Sequence, residues 1–196
     1  FLVPLMLQIG FGLTPFASGM ITFAGAAGAI TMKLAAAPIL RRLGFRTVLL
    51  CNTFVCAAFM ASYAFFVPTT PHFVMIATLL VGGFFRSLQL TSLNTLAYAE
   101  IDESEMSRAT TLAAVGQQLS LTFGVGLGAT LLHATLLARG MTALGPRDFA
   151  PTYFAVAAIS LVSLWFFVPL PRNAGAEISG REQEKQAVAI ATHASG

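Results

Sequence analysis

Apolar residues in this chain run in blocks long enough to cross a bilayer, separated by short polar punctuation. The blocks fall at about 15–37, 47–67, 72–99, 109–138 and 150–168, behind a stretch at 1–11 that is too short to span. A hydrocarbon core of about 30 Å takes about 20 residues of helix, so each full block predicts a transmembrane helix. The punctuation agrees, because GLTP, PTTP and GPRDFAP place Pro where a helix cannot continue smoothly: Pro removes a donor and restricts the residue before it. The expected fold is an all-α, polytopic membrane bundle with a partial first helix. Past the last block the run gives way to Pro, Gly, Ser, Glu, Gln and Lys, so residues 169–196 are expected to form a mobile tail. The chain opens on Phe1 without a basic n-region, and reads as a fragment of a larger protein entered near the end of one helix.

Composition strengthens the membrane assignment. Hydrophobic residues make up 56% of the chain and charged residues 10%, against roughly 45–50% and about 25% in soluble domains. With 17 Phe and a mean hydropathy of +0.78, no soluble core of this size could hide so much apolar surface. The net charge of +3 is small and its positives are dispersed, which argues against a nucleic-acid partner. Position then matters more than number. Arg41, Arg42, Arg46, Arg108, Arg172, Arg181 and Lys185 fall on one side of the predicted bundle, and only Arg139 and Arg147 on the other. By the positive-inside rule the 39–46 loop and the C-terminus are cytoplasmic.

Two charges interrupt the apolar blocks, and ionisable groups inside a membrane are functional candidates by default. Lys33 ends a stripe of small residues, Thr22, Ala26 and Ala29, flanked by Ala24, Gly25 and Gly28. It either snorkels or pairs at the cytoplasmic end of its helix, or belongs to a transport pathway. Arg86 lies near the middle of its block, with Gln89 one turn on, Asn94 two turns on and Ser87 beside it. It must face protein or water, either locking helix packing through backbone carbonyls or taking part in transport. In the next block Gln117, Leu121, Gly124 and Gly128 share a face, a polar entry leading into a small-residue contact of the GxxxG type, with Gln118 offset. Gln117 and Gln118 are candidate ligand-binding amides.

Other chemistry is not indicated. Cys51 and Cys56, five positions apart on one predicted helix, point in different directions, and no metal-ligand spacing exists. His72 and His133 read as structural or interfacial. Without a phosphate-binding loop, a Walker pattern or a nucleophile elbow, neither ATP hydrolysis nor covalent catalysis is supported. No cofactor and no metal are expected.

Two segments carry a family resemblance. AAPILRRLGFRTVLL resembles the cytoplasmic basic loop G-x-x-x-D-R-x-G-R-R of the major facilitator superfamily, in the degenerate form of the second half of those proteins. Ala37 stands at the first glycine, Arg41 at the aspartate, Arg42 at the arginine, Gly44 at the second glycine, and Phe45 and Arg46 at the closing basic pair. The stretch from FFRSLQL to GATLL is similar to the fourteen-span drug:proton antiporters, Arg86 and Gln89 matching the R-x-x-Q of an intramembrane arginine motif, with Leu90 where a glycine usually follows. The resemblance implies the C-terminal six-helix half of such a transporter, with Arg42, Gly44 and Arg46 in the cytoplasmic gating loop and Arg86, Gln89, Asn94, Gln117, Gln118 and Lys33 as pathway residues.

What the resemblance implies for function is proton-coupled efflux of amphipathic small molecules across a bacterial inner membrane. The implied partners are a small-molecule substrate, protons, the bilayer and the N-terminal half of the same protein, with a periplasmic adaptor protein as a further candidate. All 8 acidic residues lie in loops, near the outer surface or in the tail, so a proton-carrying carboxylate is expected in the other half. The alternative is a non-transporting sensor or assembly scaffold of transporter ancestry.

Overall fold

Each apolar block forms a helix in the computed structural model, which describes residues 1–98, 101, 104–140 and 144–171. Helix α1 (Leu2–Leu5) continues into a π-helical turn, Met6–Gly10, and is followed by α2 (Pro15–Leu43), α3 (Phe45–Tyr63), α4 (His72–Ala97) and α5 (Met106–Arg139). A 3-10 turn at Pro146–Asp148 leads into α6 (Phe149–Val162) and α7 (Leu164–Phe167). Among the described residues five elements are long and apolar enough to span a membrane, the last formed by the 3-10 turn, α6 and α7 together. The expected tail from residue 172, and the acidic residues Glu100, Asp102 and Glu103, lie outside the described residues.

Local chemistry sets the ends. Thr14 caps α2 by accepting from the Ala17 amide at 3.2 Å, with Pro15 in the first helical position. Helix α2 runs past the predicted boundary to Leu43, through Pro38, whose missing N–H leaves the Leu34 carbonyl without its helical donor. Gly44 alone joins α2 to α3. Its φ of 77° lies in the region that L side chains rarely adopt, and its amide donates to Leu40 O at 2.9 Å. The last span breaks at Ser163, where the hydroxyl donates to Ser160 O at 2.7 Å, while the Ser160 hydroxyl donates to Val156 O at 2.9 Å. Such back-bonded hydroxyls loosen and bend helices.

The frame is the pair α2 and α4, which run in the same direction and cross in backbone contact. A Cβ on Gly28 would fall on the Leu80 carbonyl, and one on Gly83 would fall on the Gly25 backbone. The Ser87 hydroxyl adds a bond to Ala29 O at 3.4 Å. In lipid, packing replaces the hydrophobic drive, so small residues at the crossing bring the helices together. Away from the basic loop, one apolar cluster gathers Met6, Leu7, Ile21, Tyr63, Met75, Leu79, Phe149 and Tyr153. Toward it, a second joins Met32, Leu40, Phe45, Val48 and Leu88.

Helix α3 is fixed to α4 by a polar network inside the bundle. Asn52 Nδ2 donates to Phe85 O and to Gln89 Oε1, each at 2.8 Å. Gln89 Nε2 donates to Thr53 Oγ1 at 3.0 Å, and Thr53 Oγ1 donates to Leu49 O at 2.7 Å. Below this clamp Phe59 stacks on Phe85 with centroids 5.9 Å apart, and Tyr63 meets Tyr153 of α6 edge-on at 5.9 Å. Helix α5 is held differently. Its far end is tied by Arg139, which donates to Asp148 Oδ1 at 2.9 Å, while Asp148 Oδ2 accepts from the Gly145 amide at 2.7 Å. The rest of α5 is almost wholly exposed.

Two outcomes test this architecture. Gly28→Val should lower the stability of the folded bundle by about 2 kcal/mol or more, the usual cost of overpacking a site whose neighbour is rigid backbone. Gly19→Ala, where a Cβ meets nothing within 4 Å, should be neutral or slightly stabilising. Titration into denaturing detergent followed by circular dichroism reads both, and equal stability of the two variants would refute the crossing. In a double-mutant cycle by the same titration, Asn52→Ala and Gln89→Ala should couple by about 0.5–1.5 kcal/mol, the range of interhelical hydrogen bonds in membranes; a coupling of zero would refute the clamp.

Candidate functional site

Four of the six pathway candidates occupy the two helices of the frame. Arg86 is the middle of α4, about 21 Å from His72 and about 16 Å from Ala97 at 1.5 Å per residue. Successive helical residues turn by 100°, so Ser87 reaches α2, Leu88 packs between α2 and α3, Gln89 reaches α3, and Arg86 points to the remaining side. Arg86 is exposed, and among the described residues it has no ion-pair or hydrogen-bond partner. Its charge is close enough to act on Cys56 and Tyr63 of α3. Asn94, two turns on, is exposed on a neighbouring face, and Lys33 is exposed on α2 beyond the crossing.

Gln89 separates from this group. The sequence places it with Arg86 on one broad polar face, whereas its side-chain amide is spent on Asn52 and Thr53. Both its oxygen and its nitrogen are committed to α3, so in this conformation it positions helices and presents no free amide. Asn52 and Thr53 were not among the sequence candidates, yet both are buried at the centre of the network. The signal was available: a lone amide inside TVLLCNTFVC needs an interhelical partner.

Gln117 and Gln118 lie in the basic-side half of α5, exposed and without side-chain partners among the described residues. The glycine stripe below them does not make the close helix contact its spacing suggests. A Cβ at Gly116, Gly124 or Gly126 would meet nothing within 4 Å, and only Gly128 is packed, against the Leu2 side chain. The small-residue contact of this bundle is made by Gly25, Gly28 and Gly83 instead. Helix α5 therefore leaves amides, glycines and large apolar side chains, among them Leu119, Phe123 and Leu127, exposed over most of its length.

The basic loop is built around Gly44. Arg42 is exposed at the end of α2, and Gly44 is buried in the turn. Arg46, on the first turn of α3, donates from Nη2 to Val168 O at 2.9 Å. This bond satisfies a terminal carbonyl of the last helix and brings a positive charge to the negative end of its dipole. The loop thus fixes the end of the last span as well as making the α2–α3 turn. Among the described residues no group of His, Cys, Asp and Glu could hold a metal ion, and Cys51 and Cys56 are free thiols.

These positions sit on a chain with clear relatives. The family model for the Major Facilitator Superfamily matches residues 1–194. The chain is similar to the protein named "Putative multidrug resistance protein MdtD" of Klebsiella pneumoniae subsp. pneumoniae, 27% identical over 191 residues, covering 94% of this chain and 40% of the relative. It is also similar to "Probable transport protein HsrA" of Haemophilus influenzae, 25% identical over 175 residues, covering 89% of this chain and 38% of the relative. The chain therefore spans about 40% of the length of these relatives. No solved structure gives a significant match. An all-α arrangement of membrane-length helices, a glycine-linked basic loop and a match over nearly the whole length make this chain a member of the Major Facilitator Superfamily.

Proposed function

We propose that this chain is the C-terminal helical half of a secondary active transporter, and that the full protein exports amphipathic small molecules in exchange for protons. The observation that carries this reading is Arg86: a permanent charge halfway along a membrane-length helix, exposed and without a partner among the described residues. At that depth a guanidinium facing lipid is costly, so its surroundings are water or another protein surface. A second helical half facing α4 and α5 supplies both, as the wall of a central aqueous cavity lined by Arg86, Asn94, Lys33, Gln117 and Gln118. Transport then proceeds by rocking one half against the other around a site near the midplane.

Several features support that assignment. Amides such as Gln117 and Gln118 bind varied ligands without demanding a charge, while the apolar residues between them accept amphipathic bodies. The described carboxylates are Glu105 and Asp148, both at helix ends, and Asp148 is already paired with Arg139. This reading therefore puts the proton-binding carboxylate in the N-terminal half, with Arg86 as the fixed charge that biases its protonation. The loop of Arg42, Gly44 and Arg46 lies on the cytoplasmic side in this orientation. There Arg46 ties the loop to Val168, so movement of the loop would be passed to the last span. The names of the relatives, multidrug resistance and transport, agree with a carrier rather than an enzyme.

In the full-length protein, Arg86→Ala should cut proton-driven export by about tenfold or more, equivalent to about 1.4 kcal/mol on the transport barrier, with membrane insertion unchanged. Flux into inverted vesicles under an imposed pH gradient measures it, and normal coupled flux would remove Arg86 from the mechanism. Gln117→Leu and Gln118→Leu should shift the relative export of individual compounds by about 2- to 10-fold, the scale of a lost polar contact, without abolishing transport. Growth-inhibition profiles over a compound panel read this; an unchanged profile would return both amides to packing.

A further inference from the structure

On the side opposite the basic loop, a notch of about 480 Å³ lies among the segment after α3, the end of α5 and the start of the last span. Phe66 and Val67 line it from the segment after α3, Arg139 from the end of α5, and Arg147, Pro151 and Phe154 from the 3-10 turn and α6. The walls are apolar, yet two guanidinium groups stand at its edge. They are not equivalent. Arg139 is held by Asp148, whose second oxygen is taken by the Gly145 amide. With both of its oxygens engaged, Asp148 does not bond Arg147. Among the described residues Arg147 is exposed and has no hydrogen-bond or ion-pair partner, so the rim carries one uncompensated positive charge beside an apolar wall.

The notch opens onto a strip down the outside of the bundle. Arg147, Pro151, Phe154 and Ala158 follow one another at steps of three or four residues, and all are exposed. Residues at this spacing share one helix face. Phe65, just past the end of α3, extends the strip sideways, its ring meeting Phe154 edge-on at 5.8 Å, with the Phe65 ring largely open and the Phe154 ring half-exposed. Ala158 lies about 16 Å below Arg147 at 1.5 Å per residue, about the depth of one leaflet of the hydrocarbon core. A cation at the surface with an apolar track of one-leaflet length below it is complementary to an anionic phospholipid. A soluble anion would have no use for the track, and a neutral lipid none for the unpaired charge.

We propose that this notch is a binding site for one anionic phospholipid of the leaflet opposite the basic loop. Its phosphodiester is held by Arg147, and one acyl chain lies along Pro151, Phe154 and Ala158 against Phe65. Arg139 takes no direct part, because its guanidinium is engaged with Asp148, and the Arg139–Asp148 pair serves to fix the rim. The site is distinct from the transport surface of α4 and α5, and does not depend on which substrate or ion the full protein moves.

The test uses the full-length protein in nanodiscs of equal parts phosphatidylglycerol and phosphatidylcholine, followed by native mass spectrometry of the lipid retained on the protein. Phosphatidylglycerol should be retained in preference to phosphatidylcholine. Arg147→Gln should weaken that retention about five- to tenfold, the scale of a lost charge-assisted contact, and Arg147→Lys should restore most of it. Phe154→Ala should shorten lipid residence while leaving the preference for phosphatidylglycerol in place. Equal retention of the two lipids by the unaltered protein, or an unchanged preference in Arg147→Gln, would overturn the proposal. Displacement of the lipid by glycerol 3-phosphate at comparable concentration would overturn it in favour of a free-anion site. A subunit dimer crosslinked through cysteines placed at Pro151 and Ala158 would overturn it in favour of a second copy of the protein.

Discussion

The structure depends on one close approach, the crossing of α2 and α4 at Gly25, Gly28 and Gly83. No side chain separates the helices there, and backbone of one lies where a Cβ on the other would be. Between two helices in lipid, removing apolar surface from water contributes nothing, so adhesion comes from dispersion contacts between closely fitted atoms. Every larger side chain at this point would push the axes apart and weaken the contacts on both sides of it. The apolar clusters around Met75 and Tyr63 on one side, and around Met32 and Leu88 on the other, are the consequences of that spacing.

The remaining helices are attached to this frame by polar contacts at different depths. Helix α3 is held through Asn52, Gln89 and Thr53 in the interior, where unsatisfied amides are costly and paired ones specify register. The last span is held at one end by Arg46 on the Val168 carbonyl and at the other by Asp148 with Arg139. Helix α5 is attached near its far end, by that second anchor, by Leu132 in the apolar cluster and by a contact of Gly128 with Leu2. Its long exposed surface is the one that the proposed second half would cover, and the amides Gln117 and Gln118 lie on it.

Charge is divided in the same way. Arg46 and Arg139 have structural partners: Arg46 joins elements far apart in the chain, and Arg139 fixes the turn between α5 and the last span. Arg86, Lys33 and Arg147 have none among the described residues. The first two border the surface that faces the proposed cavity, whereas the third stands at the edge of the proposed lipid notch. Of the two described carboxylates, Glu105 lies at the start of α5 and Asp148, at the start of the last span, is paired with Arg139, so neither faces Arg86 or Lys33 as a partner.

The sequence by itself determined the class of fold. Block lengths, Pro-rich punctuation and the Thr14 and Gly44 boundaries are local properties: the length of a helix against a bilayer, and the φ angle a turn demands, need no tertiary information. It also singled out Arg86, because the depth of a charge along a membrane-length helix is a local property. What it could not decide is which way each residue faces. The glycines of α5 and of α2 look alike in the sequence, yet Gly25 and Gly28 of α2 lie against the backbone of a neighbouring helix and none of the α5 glycines does. Gln89 and Arg86 share a face by spacing alone, yet the position of α3 takes the amide and leaves the guanidinium. A helix sequence fixes relative angles around its own axis; only its neighbours fix where zero lies on that circle, and that single rotation separates packing from site.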